Sequence, residues 1–329
     1  MVYEIFLIFV YKQIIDCCMK QNIYGEPYAG DSKFVALCRR LQSIYRVEIN
    51  QKIRGYVGKD RVYYFGNYIE DGEHSGANFL EDYIFEYAKF RVDNRRKYET
   101  IESDRLFNNL LSSQPMAFNL FCPLRKMVEC CPDVATDVIR AALPMYRIAK
   151  VTDVDLEFIP SDYKKLTGDK SAMDAIIRFE DDRGKSCFIA IETKYSENLG
   201  TNEASTKDRA IDVIKELKCF NAEVEQRINC EDVKLTQIYR NFLLSEAYGR
   251  SIDAESYSLI LAPSIHPSTE REVQSLCVEL RDDFKRKVHS LSLESFVDGL
   301  LSKCPEEYMQ TFEKFKDRYL NFVKASNIL

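Results

Sequence analysis

The sequence predicts an α/β protein built around a mixed sheet, and three observations lead to this fold class. Apolar and acidic residues alternate over 154–158, as in a half-buried strand. Two apolar runs follow, on either side of a polar turn that contains Gly184. Helical apolar spacing precedes and follows these strands, which is the arrangement of an α/β sandwich. The composition, 46% hydrophobic and 30% charged with 12 Gly in 329 residues, indicates a folded chain.

The N-terminal part of the chain is predicted to be mostly helical. Apolar residues have helical spacing at 33–45 and 78–91, with a more irregular stretch between them. We therefore predict an accessory region over residues 1–100 and a core with C-terminal helices over residues 101–329. The apolar segment 2–10 is too short to span a membrane. It is expected to pack on the body of the protein or to contact a protein partner, such as a second copy of the chain.

A cluster of short helices is predicted between residues 102 and 149. Three prolines interrupt the helical spacing in this stretch, at Pro115, Pro123 and Pro132. Because proline cannot donate an amide hydrogen, each of them is expected to begin or end a helix.

Four strands are predicted, at residues 154–158, 172–179, 186–195 and 257–262. The second and third flank the Gly184 turn and should form an antiparallel hairpin. Helical spacing returns at 203–219 and 231–248, and the chain after the fourth strand is expected to be helical to its end. The element order is therefore helices, three strands, helices, one strand and helices.

The whole-chain charge does not predict affinity for nucleic acid. The net charge is −6 and the pI is about 5.4, whereas phosphate binding depends on Lys and Arg. A chain total can hide acids that bind a metal and bases that line a groove. Short basic runs occur at residues 39–40, 95–97, 164–165 and 286–287. Each run is expected to be a solvated face rather than a phosphate contact.

The cysteine and histidine patterns exclude a zinc signature. The 11 cysteines include no CxxC pair, and the 3 histidines lie far apart. Adjacent cysteines and the lack of a signal-peptide pattern predict reduced thiols and a cytoplasmic protein.

The chemistry-bearing residues lie on the predicted hairpin. Glu192 and Lys194 share one face of their strand, and Asp174 is an acid inside the apolar run 171–177. Pairing about the turn can bring Asp174 beside Glu192, where two carboxylates would attract a hard cation such as Mg²⁺, with Mn²⁺ as a substitute. Lys194 could then orient or help to deprotonate an attacking water at a phosphate. The alternative from the residues alone is a solvent-facing strand with a Glu–Lys ion pair.

The segments Gly168–Asp174 and Ile191–Glu197 resemble the PD-(D/E)xK nuclease superfamily. Its restriction-endonuclease-like core is a helix, a three-stranded antiparallel meander, a helix and a further strand. The chain also resembles a group of uncharacterised Bacteroidetes proteins described as restriction endonucleases, over roughly residues 75–325. The matching stretches are residues 98–101, 109–115, 118–121 and 237–241.

The resemblance implies roles for individual residues. Asp174 and Glu192 would be metal ligands, Lys194 the catalytic lysine, and the backbone carbonyl of Thr193 a further ligand. The proline that commonly precedes the aspartate is replaced by Met173.

Gln237 corresponds to the glutamine of RecB-like members of the superfamily, so a catalytic role is predicted for it. The tyrosine that ends that motif four residues later is replaced by Asn241. Glu157 could supply an additional acid or be an ordinary surface-facing strand residue. Asp169 and Glu197 flank the motifs and are weaker candidates for direct ligands.

Ser113 and Gln114 precede Pro115 at the predicted start of a helix. Serine at this position is first of all a helix cap, and a contact to substrate phosphate is the alternative.

The expected function is hydrolysis of DNA phosphodiester bonds, in bacterial defence or DNA processing. Two alternatives stay open. One is a catalytically silent nucleic-acid-binding or scaffold protein on the same fold, and the other is a nuclease that acts on RNA.

Overall fold

The computed structural model describes residues 23–198, 204–205, 208–230 and 234–326, excluding the side chains of 204–205, 228–230 and 234. The apolar segment 2–10, expected to pack on the body or to contact a partner, lies outside the described residues. The helices are α1 (Lys33–Glu48), α2 (Gly72–Ser75), α3 (Asp82–Asp93), α4 (Ser103–Asn108), α5 (Ser113–Cys130), α6 (Pro132–Ala142), α7 (Tyr163–Leu166), α8 (Asp208–Leu217), α9 (Ala222–Cys230), α10 (Gln237–Ser251), α11 (Thr269–Glu279), α12 (Asp282–Lys285), α13 (Leu293–Leu301), α14 (Glu306–Leu320) and α15 (Phe322–Ser326). The strands are β1 (Tyr56–Val57), β2 (Val62–Tyr63), β3 (Ile148–Phe158), β4 (Met173–Asp181), β5 (Ser186–Thr193), β6 (Ala204–Ser205), β7 (Lys234–Leu235), β8 (Glu255–Ala262) and β9 (Val288–Ser292).

Five strands form the central sheet in the order β3-β4-β5-β8-β9. The first three make an antiparallel meander, in which Ala175 lies opposite Ile191, and β5, β8 and β9 run parallel. Gly184 occupies the β4–β5 turn with a φ of +74°, a conformation that suits glycine because it has no Cβ. The predicted α/β fold with a hairpin in a mixed sheet is confirmed.

Helices cover both faces of the sheet. Ile189 and Ile191 of β5 pack into a core that includes α5, α6 and α13, and Phe188 and Ala190 pack into a second core with α8, α10 and α11. Successive strand residues point to opposite faces, so the continuous apolar run of β5 is what a strand buried on both faces requires. The molecule is therefore an α/β sandwich, as the sequence predicts, with a layer of helices on each face of the sheet.

Some predictions about secondary structure are wrong. The stretches 203–219 and 231–248 were expected to be helical, but residues 204–205 and 234–235 within them pair as the strands β6 and β7. Pro123 was expected to begin or end a helix, but it lies inside α5. Side chains from Ser113 to Leu124 are buried, and this packing outweighs the roughly 3 kcal/mol that an interior proline costs. The chain after Ala262 was expected to be helical throughout, but β9 extends the sheet beside β8.

The N-terminal helices share the main core with the sheet. Ile84 lies before residue 100 and Leu106 after it, and both belong to the same buried cluster. The guanidinium of Arg318 in α14 is buried, and it donates to Gln42 Oε1 (3.2 Å) and to the backbone oxygen of Asn78 (2.8 Å). These bonds tie α1 to α14, while the division at residue 100 stays a prediction.

Across the described ranges, no helix combines the length and apolar character needed to cross a membrane. The cysteines with described side chains are free thiols, and most are buried, as the sequence predicts.

Candidate active site

Three acidic side chains lie at one end of the central sheet. Glu157 is near the end of β3, Asp174 is near the start of β4, and Glu192 is near the end of β5. These strands alternate in direction, so the three positions meet at the same edge. Strand alternation also places Asp174 and Glu192 on the face of Ile176 and Ala190, toward the layer that contains α10.

Asp174 is half-buried, and its carboxylate is held by the end of the neighbouring strand. Its Oδ2 accepts hydrogen bonds from the backbone nitrogen of Thr193 (2.6 Å) and from Thr193 Oγ1 (2.8 Å). Burial raises the pKa of Asp174 well above its usual range, and the charges of Glu192 and Glu157 raise it further. Asp174 therefore lies where negative charge accumulates and where a cation would be stabilised.

Glu192 is bound by three side chains. Lys194 Nζ lies 2.6 Å from Glu192 Oε1, and both side chains are only 7% exposed. Gln237 Nε2 donates to the same Oε1 (2.8 Å), and Asn241 Nδ2 donates to Oε2 (2.6 Å). The structure therefore brings together Asp174, Glu192, Lys194 and Gln237, which the sequence selected.

Lys194 is fixed between an acid and an amide. Its Nζ also donates to Gln237 Oε1 at 3.0 Å. Burial by itself would lower the pKa of Lys194, but the charges of Glu192 and Asp174 outweigh it and raise the pKa. The contact is a buried ion pair, so the alternative of a solvent-facing Glu–Lys pair is wrong.

Asn241 is a contact of Glu192 that the sequence analysis missed. It was noted only where a RecB-like motif would have tyrosine. It lies one helical turn after Gln237 in α10, so both amides project toward the same strand. Two amides at this spacing are the signal that could have identified it.

Glu157 is buried, with 4% of its surface exposed, so the surface-facing alternative is wrong. Its φ of +48° is rare for a residue other than glycine. Burial raises the pKa of Glu157 to about 7, even though Gln114 and Arg91 act in the opposite direction. The structure thus places Glu157 and Gln114 beside the pair of acids.

The start of α5 differs in detail from the prediction. The helix begins at Ser113, but the side chain of Ser112 is the cap and accepts from the backbone nitrogen of Gln114 (3.2 Å). Ser113 is the first helical residue, and its backbone nitrogen donates to Glu197 Oε1 (2.9 Å). The cap prediction is therefore one residue too late, because Ser112 has the extended backbone that a cap requires.

Glu197 organises the segment after Lys194. Its Oε2 accepts from the backbone nitrogens of Tyr195 and Ser196, each at 3.1 Å. Burial would raise the pKa of Glu197, but Lys194, Arg105 and the backbone donors outweigh it and lower the pKa. The carboxylate therefore fixes the bend that follows the catalytic candidate, in contact with the first turn of α5.

Asp169 is occupied by contacts with its own loop and with α10. It accepts from the backbone nitrogen of Ser171 (2.8 Å) and forms an ion pair with Arg240 (3.0 Å). These contacts give it a role in shaping the approach to β4.

A family model described as the PD-(D/E)XK nuclease superfamily matches residues 29–321. The chain belongs to this superfamily. The match begins further toward the N-terminus than the stretch 75–325 on which the resemblance rested. Neither the curated proteins nor the solved structures gave a significant match. Membership of the superfamily indicates a metal-dependent nuclease with a nucleic-acid substrate.

The donor chemistry of the site suits the divalent metal that these nucleases generally use. In the part of the chain that the structure describes, no cluster of three or more His, Cys, Asp or Glu side chains could hold a metal ion. Mg²⁺, however, is typically held by one or two carboxylates together with waters and substrate phosphate. Asp174 and Glu192 supply two carboxylates whose charges act on each other. This pair fits a hard cation.

Proposed function

We propose that this protein is a Mg²⁺-dependent deoxyribonuclease, in which Asp174 and Glu192 hold the cation and Mn²⁺ can substitute for it. The observation that carries the proposal is the meeting of two acids and the Lys194 ammonium at one end of the sheet. Lys194 Nζ lies 2.6 Å from Glu192, and Asp174 is bound to the residue between them in sequence, Thr193.

Each residue has a proposed part in the hydrolysis. When bound, the cation would stabilise negative charge on the phosphate. Lys194 orients or activates the attacking water, and Gln237 positions Lys194 through its 3.0 Å hydrogen bond. The carbonyl of Thr193 is a proposed further ligand. Glu157 is a proposed additional acid, because its charge acts on Asp174.

The proposed substrate is DNA, and the proposed setting is the cytoplasm, in bacterial defence or DNA processing. A partner or second copy is proposed to bind through the N-terminal region. Competition between labelled DNA and RNA in one reaction tests the substrate, because an RNA nuclease would cleave the RNA first.

A cleavage assay tests the proposed residues. Purified protein is incubated with plasmid and linear DNA in Mg²⁺, in Mn²⁺ and in EDTA, together with Asp174→Ala, Glu192→Ala and Lys194→Ala. Glu180→Ala is the matched control, because Glu180 is an exposed acid near the other end of the strand that carries Asp174. We expect metal-dependent cleavage by the wild type and the control and none by the other variants. Cleavage that survives all three substitutions would remove the assignment.

One observation favours a second candidate, a nucleic-acid-binding or scaffold protein that does not cut. Both oxygens of Glu192 already accept hydrogen bonds or an ion pair, from Lys194, Gln237 and Asn241. Such a carboxylate can be satisfied without metal. A scaffold would show no Mg²⁺-dependent thermal shift, whereas the nuclease should show one that Asp174→Asn removes.

A further inference from the structure

Two basic runs that are far apart in sequence meet beside the candidate active site. Arg96 and Lys97 lie in the loop after α3, and Lys164 and Lys165 lie in α7. The rings of Tyr98 and Tyr163, one next to each run, pack together with centroids 5.7 Å apart.

Arg96 also contacts the pair of tyrosines that joins the two runs. Its Nη1 donates to the hydroxyl of Tyr98 at 2.7 Å, so its guanidinium is held against the joined tyrosines. Tyr163 is buried, which anchors this edge to the body of the protein. The two runs therefore belong to one surface, although the sequence suggested two separate solvated faces.

A single chain segment connects this basic surface to the acids of the site. Residues 159–172 connect β3 to β4, beginning two residues after Glu157 and ending two residues before Asp174. The connection contains Lys164, Lys165 and also Lys170, which precedes Asp174 by four residues. Positive charge thus borders the edge of the sheet where the carboxylates meet.

The lysines of this surface are exposed and without acidic partners. Lys97, Lys164, Lys165 and Lys170 form no ion pair with any described residue. Acids close to them in sequence have other contacts: Glu99 lies 3.7 Å from Arg91 and accepts from the backbone nitrogen of Arg96 (2.9 Å), and Asp169 lies 3.0 Å from Arg240. Asp162, at the start of α7, is an exposed acid that partly offsets their charge.

These lysines concentrate positive charge on a chain whose net charge is −6. Some lysines elsewhere, such as Lys287, Lys314 and Lys324, lie about 3 Å or less from a carboxylate. Lysines that are free of carboxylates keep their full charge for an external anion. Nucleic acid offers a row of phosphates, and each lysine that replaces a condensed counterion adds to the affinity.

We propose that Arg96, Lys97, Lys164, Lys165 and Lys170, here named the basic rim, bind the phosphate backbone of the nucleic-acid substrate beside the cleavage site. The inference rests on the proposed function only in taking the substrate to be nucleic acid. The rim binds phosphates without reading bases, so its contribution to affinity is independent of sequence and falls with salt.

The binding of DNA is measured in an assay that is separate from the cleavage assay. Fluorescence anisotropy of a labelled DNA duplex is recorded in EDTA over a series of salt concentrations, for the wild type and for Lys164→Ala/Lys165→Ala. The control is Arg183→Ala/Arg286→Ala, which removes two exposed cations from the other end of the sheet: Arg183 lies in the β4–β5 turn and Arg286 just before β9.

For the rim variant we expect about ten-fold weaker binding at low salt, and a slope of log affinity against log salt that is smaller by about 2. The control should keep the wild-type slope. A second rim variant, Lys97→Ala/Lys170→Ala, is expected to reproduce the loss.

The inference is overturned if both rim variants bind like the wild type, or if the control weakens binding equally. This outcome differs from failure of the proposed nuclease. If the rim variants bind DNA more weakly but the wild type cleaves nothing in Mg²⁺, the proposed nuclease activity is contradicted and the proposed role of the basic rim is supported. If the wild type cleaves DNA but the rim variants bind it as the wild type does, the role of the basic rim is contradicted and the nuclease activity is supported.

Discussion

Replacement of Lys194 by methionine separates a metal site from a purely structural ion pair. Lys194→Met keeps most of the side-chain volume and removes the charge that lies 2.6 Å from Glu192. Glu192 is then left buried with only the amide donors of Gln237 and Asn241. Removal of one partner from a buried pair costs about 3–5 kcal/mol of unfolding free energy. The two remaining donors favour the low end, about 3 kcal/mol.

A divalent cation should restore much of this loss, because it supplies the missing positive charge. At a concentration 100 times its Kd, a bound ion stabilises the native state by about 2.7 kcal/mol. The wild type should gain less from Mg²⁺ than Lys194→Met does, since in the wild type the ammonium competes with the cation for Glu192. Lys194→Met is therefore expected to have a lower unfolding free energy than the wild type in EDTA and nearly the same unfolding free energy in Mg²⁺. It should not cleave DNA in either condition.

Urea unfolding followed by circular dichroism, in EDTA and in saturating Mg²⁺, gives these free energies. Lys287→Met is the matched control, because Lys287 Nζ lies 3.0 Å from the buried Glu246. Glu246 keeps one other side-chain donor, Ser256 Oγ at 2.6 Å, where Glu192 keeps two. The control should lose a similar free energy in EDTA and regain little in Mg²⁺. Equal recovery of both variants, or of neither, would show that Mg²⁺ does not replace the charge of Lys194 at Glu192.

Three further predictions concern the supports of the site. Asn241→Ala leaves one oxygen of Glu192 without its donor and should slow single-turnover cleavage about ten-fold, or about 1.4 kcal/mol; an unchanged rate would contradict this. The pKa of Glu197 is lowered in the fold, so its stabilisation is complete above the ordinary pKa of about 4.3 and is lost as the pH falls through the folded value. The wild type should therefore lose more unfolding free energy than Glu197→Gln on acidification, and parallel losses would refute the assignment. Arg318→Met should cost about 3 kcal/mol in urea unfolding, because the buried oxygens Asn78 Oδ1 and Gln42 Oε1 lose the donor that Arg318 supplies, and should leave the Mg²⁺-induced shift unchanged.

The elements near the hairpin could be predicted because their signals are local. The alternation before Phe158 and the apolar runs around Gly184 carry the period of a strand within a few residues. The antiparallel pairing of β4 and β5 then follows from the short turn at Gly184, and it places Asp174 and Glu192 at one edge. The acids could be selected from sequence because a carboxylate inside an apolar run requires a cation or several donors.

The features that could not be predicted depend on contacts between distant parts of the chain. Val288 and Leu291 of β9 are spaced like a helix, and the strand forms through its pairing with β8. Pro123 lies inside a helix because burial of that helix compensates for the proline. The role of Asn241 depends on its hydrogen bond to Glu192, a residue that is distant in sequence. The basic runs join through Tyr98 and Tyr163, which no local pattern reveals.

Anomalous diffraction from crystals grown with Mn²⁺ would locate the proposed cation. We expect a peak in contact with the carboxylates of Asp174 and Glu192, and no peak there in crystals of Asp174→Asn. A protein that cleaves DNA in Mn²⁺ while its only manganese peaks lie away from both carboxylates would contradict the proposal.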